Sequence, residues 1–225
     1  MDGNKERVGP QRPYHRFLDP GSGAVEAIGI VVGDFRLVLA VWELRDLSDV
    51  VMRFFIPEDG IRLRGKRDRV PYETWERQGF ISSTPGDRID YDYVLSQIEQ
   101  DMSVFNVREI AFDPWNATHV TTKLLEQDAP VIEFRQGYVS MNPAMGALDV
   151  AISTKKLNHG GNPVLTWMAD NLVAAIDPAG NMKPDKSKST EKIDGMVALI
   201  MAHYRATLAG GKQDSVYNRR GIRTL

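Results

Sequence analysis

Apolar residues recur along this chain with two different periods. Between residues 91 and 105, Tyr91, Val94, Leu95, Ile98, Met102 and Phe105 share one helical stripe, and Asp90 stands where it can cap the first turn. Upstream, AVEAIGIVV and FRLVLAVWELR are runs of aliphatic residues parted by Gly33 and Asp34, which predicts a β-hairpin. HRFL, residues 15–18, predicts a strand before it, so three consecutive antiparallel strands are expected to open the domain. From Asp46 to Asp90 no period is sustained, apart from VPYETWERQG, a short helix ended by Gly79.

Downstream the order is strand, helix, strand. VREIAF is a buried strand ending at Asp113, ATHVTTKLLEQ is helical, and PVIEF is the next strand. That spacing implies a parallel pair joined by a crossover helix. NPAMGALDVAIST and NPVLTWMADNL each place a proline just inside a helix start. VAAIDPAGN is a short strand with a turn, and KPDKSKS a polar, basic loop. STEKIDGMVALIMAHYRATLAGG is a last long helix, stopped by Gly210 and Gly211. The fold class is therefore α/β: a mixed sheet, three antiparallel strands and then parallel strands, with flanking helices. One domain over residues 14–209 is expected. A disordered polar segment (residues 1–13) precedes it, and a flexible basic tail (210–225) carrying Arg219, Arg220 and Arg223 follows.

Composition narrows the chemistry. At 225 residues and 42% hydrophobic, the chain suits one globular domain. Its net charge of -2 rules out indiscriminate coating of nucleic acid, so any such contact must come from local patches. There is no cysteine, hence no disulfide, thiolate metal site or thiol nucleophile. No apolar run reaches membrane-spanning length and no signal-peptide core is present, so a soluble intracellular protein is expected. No phosphate-cradling ATPase loop or G-x-S-x-G elbow occurs. His15, His119, His159 and His203 lack metal-ligand spacing, and His119 and His203 read as surface residues.

Three acids stand at structural junctions. Asp113 ends a candidate central strand, where open α/β sheets place ligand sites, and Pro114 stops the ladder beside it. Trp115 would cover the site or pack on the next helix. Asp194 lies in the first turn of the last helix on a partly apolar face, so its carboxylate needs a partner or a metal. Gly195 beside it admits another backbone or a substrate. Asp19 ends the first candidate strand ahead of a glycine-rich turn. Singly, each has a plain explanation: an Asp-Pro turn, a helix-dipole acid and a turn aspartate. Together they are hard oxygen ligands suited to Mg²⁺ or Mn²⁺, and two such ions support phosphodiester cleavage.

RDRVPYETW, VREIAFDPWNAT, VIEFRQGY, HGGNPVLTWMADN and DPAGNMKPDKSKSTEKIDGMVALIMA resemble, in order, the C-terminal nuclease domain of tailed-phage terminase large subunits. The similarity is dense from about Arg67 to Arg205. It implies a ribonuclease H-like fold and a two-metal endonuclease, using Mg²⁺ or Mn²⁺, that cuts double-stranded DNA during genome packaging. The family's acids fall on Asp19, Asp113 and Asp194, with Glu26 and Asp34 as alternatives for the first. YHRFL is shorter and more polar than the family's first strand, which keeps open a catalytically impaired DNA- or protein-binding module. The chain starts 18 residues before Asp19, so an isolated nuclease portion without the ATPase motor is expected. The implied partners are that motor, the terminase small subunit and the portal, in the host cytoplasm and with no membrane. Lys183, Lys186, Lys188 and Lys192 are candidate contacts to the DNA backbone, with Lys155 and Lys156 as weaker ones. The basic cluster Arg62, Arg64, Lys66, Arg67 and Arg69 is either a solvated or a phosphate-contacting loop.

Overall fold

A computed structural model describes residues 25–31, 37–43, 48–115 and 118–210. Strand β1 (Val25–Val31) pairs antiparallel with β2 (Leu37–Glu43), as the predicted hairpin requires, and β2 pairs antiparallel with β3 (Ser48–Pro57). After β3 come α1 (Ile61–Asp68), α2 (Tyr72–Arg77), β4 (Ile81–Thr84) and α3 (Tyr91–Val104). The parallel unit follows: β5 (Ile110–Phe112), α4 (Thr118–Glu126) and β6 (Val131–Glu133). Then come α5 (Tyr138–Ser153), β7 (Leu157–Asn158), α6 (Pro163–Asp170), the hairpin β8 (Ala174–Ile176) and β9 (Met182–Pro184), and α7 (Asp194–Gly210).

The main sheet runs β4-β3-β2-β1-β5-β6. β5 lies parallel to β1, and β4 and β7 lie parallel to β3 at its two ends. Two layers of helices cover it. Ile28, Ile30, Val51, Phe55, Ile110 and Phe112 pack with α3 and α4, while Val50, Met52, Phe54, Ile56 and Ala111 pack with α5, α6 and α7. Alternate residues of β3 therefore serve opposite cores, as the period of two demands.

Several expectations need correction. The third antiparallel strand is β3, inside the stretch expected to be irregular; a strand buried on both faces reads as a continuous apolar run without alternation. The predicted strand at 15–18 lies outside the described residues, as do the segment 1–13 and the tail beyond Gly210. The basic cluster is helix α1, not a loop. Pro143 is inside α5, well past its start. Its neighbour Asn142 caps nothing: its side chain accepts from Met182 N at 2.9 Å and donates to Asn181 Oδ1 at 3.2 Å, tying α5 to the β8–β9 hairpin. The other Asn-Pro pair behaves as expected, since Asn162 caps α6 through the N–H groups of Val164 and Leu165. Asp90 likewise caps α3.

Helix α7 is apolar on every side, and Met196 through His203 are all buried between sheet and outer helices. Its approach to β1 depends on Gly29. A Cβ there would lie 2.3 Å from the Ala198 carbonyl oxygen and 3.1 Å from the Ala202 nitrogen. Gly29→Ala should cost about 3 kcal/mol, because backbone rather than a side chain must yield. A urea midpoint equal to wild type would contradict this.

His203 is 4% exposed, not a surface residue. Burial pushes its imidazole below the ordinary 6.5, against an opposing backbone contact with Ala147. The folded state thus favours the neutral ring, and stability is fully present above about 6.5 and lost as pH falls through the lower folded value. Melting between pH 7.5 and 5 should show this decline, and His203→Gln should flatten it.

Candidate active site at the C-terminal sheet edge

Three contacts set the direction of α7. Arg205 Nε meets Glu109 Oε2 at 2.6 Å, pinning the end of α7 to the start of β5. Ala198 and Ala202 lie on Gly29, which is in register with Ala111. From Arg205 back to Asp194 is about 16 Å of helix. From Glu109 forward to Asp113 is about 13 Å of strand. Helix α7 therefore crosses β1 and β2, reaching β5 at its Arg205 end and β3 at Gly195, so Asp194, like Asp113, lies towards the C-terminal edge of the parallel strands.

Asp113 is half-buried and follows Ala111 with the parity of the α7 face. Its Oδ1 accepts from Trp115 N at 3.1 Å, a turn that Pro114 stiffens. Trp115 neither covers the site nor packs on α4, being 86% exposed. The Asp194 side chain is only 3% exposed, and its Oδ1 lies 2.6 Å from Lys186 Nζ. Gly195 is packed by Phe54 and Met168 rather than by another backbone or an open space.

The other candidate acids separate clearly. Asp19 and Asp34 lie outside the described residues. Glu26 is at the start of β1, the opposite edge from Asp113. The parallel register of β1 and β5 ends at the pair Ile30 and Phe112, one residue before Asp113. Among the described residues no group of three or more acids or histidines could hold a metal. Asp113 and Asp194 are nonetheless the hard oxygen donors that a small divalent ion takes, so they fit two places in such a set.

Next to Asp194, a cleft of about 420 Å³ opens between α7, α5 and the β8–β9 hairpin, with Gln136, Tyr138, Lys183, Lys186 and Val197 in its wall. Lys183 stands 4.9 Å over the Tyr138 ring. Lys188 reaches Asp185 at 3.7 Å and is otherwise exposed. Asp185 organises the loop: its Oδ1 accepts from Ser187 N, Ser187 Oγ and Lys188 N, and the Ser187 hydroxyl is the main cause holding its carboxyl low. Asp68 is held low first by its hydrogen bond from Arg67, with Tyr72 and Lys192 adding to it. Arg62, Lys66 and Arg69 of this region are exposed. Because β3 is parallel to β1, α1 leaves β3 at the same edge as the acids. Lys155 and Lys156 follow α5 near β7, at the opposite edge.

The sequence marks Lys186 as a DNA contact or as one of several loop lysines balancing nearby acids, without singling it out as the partner of Asp194. An eight-residue separation across a turn has no helical or strand period to reveal it. Gln136 and Tyr138 were also missed, since nothing in a loop-to-helix junction distinguishes a cleft wall from a surface.

A family model described as terminase large subunit, endonuclease domain, matches residues 49–209. The chain belongs to that family. This terminase nuclease domain is 38% identical over 172 residues to the terminase large subunit of Enterobacteria phage HK97, across 74% of this chain. It is 32% identical over 185 residues to protein YmfN of Escherichia coli K12, across 78% of this chain. The chain spans 34% and 40% of the lengths of those relatives. The crystal structure of the HK97 large terminase superposes with a TM-score of 0.72 at 34% identity, covering 79% of this chain and 38% of that one. The large terminase nuclease of thermophilic phage G20c, solved with bound magnesium, shares the fold at a TM-score of 0.53 and 10% identity, covering 80% of each chain. A structure of the same G20c nuclease carries bound cobalt.

Proposed function

We propose that this terminase domain is a divalent-metal-dependent endonuclease that cuts double-stranded DNA in phage genome packaging. The observation that carries the reading is the placement of a strand-end acid, Asp113, and a buried helix-start acid, Asp194, towards the same edge of a terminase nuclease fold. Asp113 and Asp194, with Asp19 as the third ligand, would hold the metal. Two Mg²⁺ or Mn²⁺ ions bound there would activate water and steady the departing 3′ oxygen. Lys183, Lys186, Lys188 and Lys192 lie beside the cleft or along the same edge and would neutralise phosphates of the duplex. Among the described residues no base-reading element accompanies them, so sequence preference is weak and the cutting site is set by partners. Those partners are the ATPase motor, the small subunit and the portal, in the host cytoplasm. Among the described residues no helix is long and apolar enough to cross a membrane.

The short, polar stretch YHRFL favours a second reading, a DNA- or protein-binding module with an impaired metal site. Supercoiled plasmid incubated with Mn²⁺, with and without chelator, separates the two. Chelator-sensitive nicking by the wild type supports the nuclease. Asp113→Asn and Asp194→Asn should each reduce it by more than about 100-fold, beyond what losing an outer-shell partner costs. Full activity in both variants refutes the assignment, and an inactive wild type that still binds DNA selects the second reading.

The basic edge makes a separate prediction. Replacing Lys183 and Lys188 with Ala should weaken duplex binding, and the slope of log affinity against log salt should fall by about 2 for two lost phosphate contacts. An unchanged slope across a salt series removes these lysines from the interface.

A further inference from the structure

The Lys186–Asp194 pair is built asymmetrically. The Asp194 side chain is 3% exposed at the start of a helix buried on all sides, whereas the Lys186 side chain is 45% exposed on the cleft wall. A carboxylate so enclosed needs a cation beside it. The first turn of α7 contributes partial positive charge but no full counter-ion. The 2.6 Å contact from Nζ supplies one, as a charge-assisted hydrogen bond. The lysine can leave for solvent by rotating its own side chain. The carboxylate cannot, because Gly195 next to it is wedged against Phe54 and Met168. The loop behind Lys186 stays in place meanwhile, held by the Asp185 turn.

We infer that Lys186 is a resident counter-ion of Asp194 that a divalent cation displaces when the site loads. This rests on the reading of Asp194 as a metal ligand. An ammonium and a divalent ion cannot share one carboxylate oxygen at contact distance without strong mutual repulsion, so the two compete. The competition has two consequences. The empty site keeps its buried carboxylate paired, and the folded domain does not need metal to survive. The loaded site releases a positive side chain onto the cleft that already carries Lys183, so metal binding adds one cation to the surface facing the DNA backbone. Lys186 is thereby a positioning residue that sets the threshold for the metal, distinct from its exposed neighbour Lys188.

Calorimetric titration of Mn²⁺ into the DNA-free protein tests this on four forms: wild type, Lys186→Gln, Lys186→Arg and Asp194→Asn. Lys186→Gln should bind Mn²⁺ about tenfold more tightly than wild type, and Lys186→Arg more weakly by a similar factor, a coupling of ordinary size between two competing cations. Asp194→Asn should lose the site. In chelator, Lys186→Gln should melt below wild type, and Mn²⁺ should restore it by a larger shift than it gives wild type. Where Lys186→Gln does not fold, wild type against Lys186→Arg carries the comparison, since arginine keeps the pair. Equal Mn²⁺ affinity in wild type and both Lys186 variants, with the site lost only in Asp194→Asn, overturns the inference and leaves the pair as a fastening of the loop. Equal affinity in wild type and Asp194→Asn, or no binding in any form, instead removes Asp194 as a ligand, and the inference falls with that reading.

Discussion

The contact on which this fold turns is the one between Gly29 and the backbone of α7 at Ala198 and Ala202. Because no side chain separates them, helix and strand lie closer than ordinary packing allows, and Ala111 in register with Gly29 extends the flat seat to β5. A helix seated so closely has little freedom to slide. Its two ends are then determined by what flanks the seat: Arg205 on Glu109 at one end, and Asp194 at the other. The position of the Asp194 carboxylate is thus set by small residues that carry no chemistry, Gly29, Ala111, Ala198 and Ala202.

Two buried carboxylates in the same domain show what fixed and exchangeable pairing look like. Asp101 of α3 is gripped by Arg53 of β3 through two bonds, of 2.6 and 2.5 Å, and takes a further one from Gln97. Both side chains of that pair are enclosed, at 10% and 2% exposure. A planar guanidinium in this geometry serves as structure, joining helix to sheet. Asp194 is as deeply enclosed, but the ammonium that meets it, on Lys186, belongs to a flexible side chain that is 45% exposed. Burial of an acid alone does not distinguish a strut from a site. The accessibility of its partner does.

How far the sequence revealed this depends on the kind of signal each element carries. The α3 stripe, the Asp90 and Asn162 caps and the β5–α4–β6 crossover were readable because period and capping chemistry are local. Strand β3 was not, because Val50 to Ile56 are buried on two faces and show no alternation. Pro143 misled for a related reason: Asn-Pro resembles a helix start, and only the distant Asn181 and Met182 explain why Asn142 is there. At the site, Asp113 and Asp194 could be singled out by their junction positions. Their common edge could not, since it follows from the antiparallel course of α7 over β1, a tertiary fact. The burial of His203 was hidden likewise, because a helix enclosed on all sides has no polar face to contrast with.

The distribution of charge reconciles a net charge of -2 with the polyanionic substrate proposed above. α1, Lys192, the 183–188 loop and both acids all meet at the C-terminal edge, because β3 and β5 are parallel and each hands its following segment to the same side. That edge therefore gathers positive charge around a small acidic centre, while Lys155 and Lys156 sit at the other. A duplex attracted by such an edge meets lysines and arginines first, and its phosphates approach the carboxylates only where cations intervene. Asp68, Asp185 and Asp194 each hold a neighbouring base in place at that edge, so the acids there also organise the basic residues. Local topology, rather than overall charge, is what the proposed engagement of DNA would rely on.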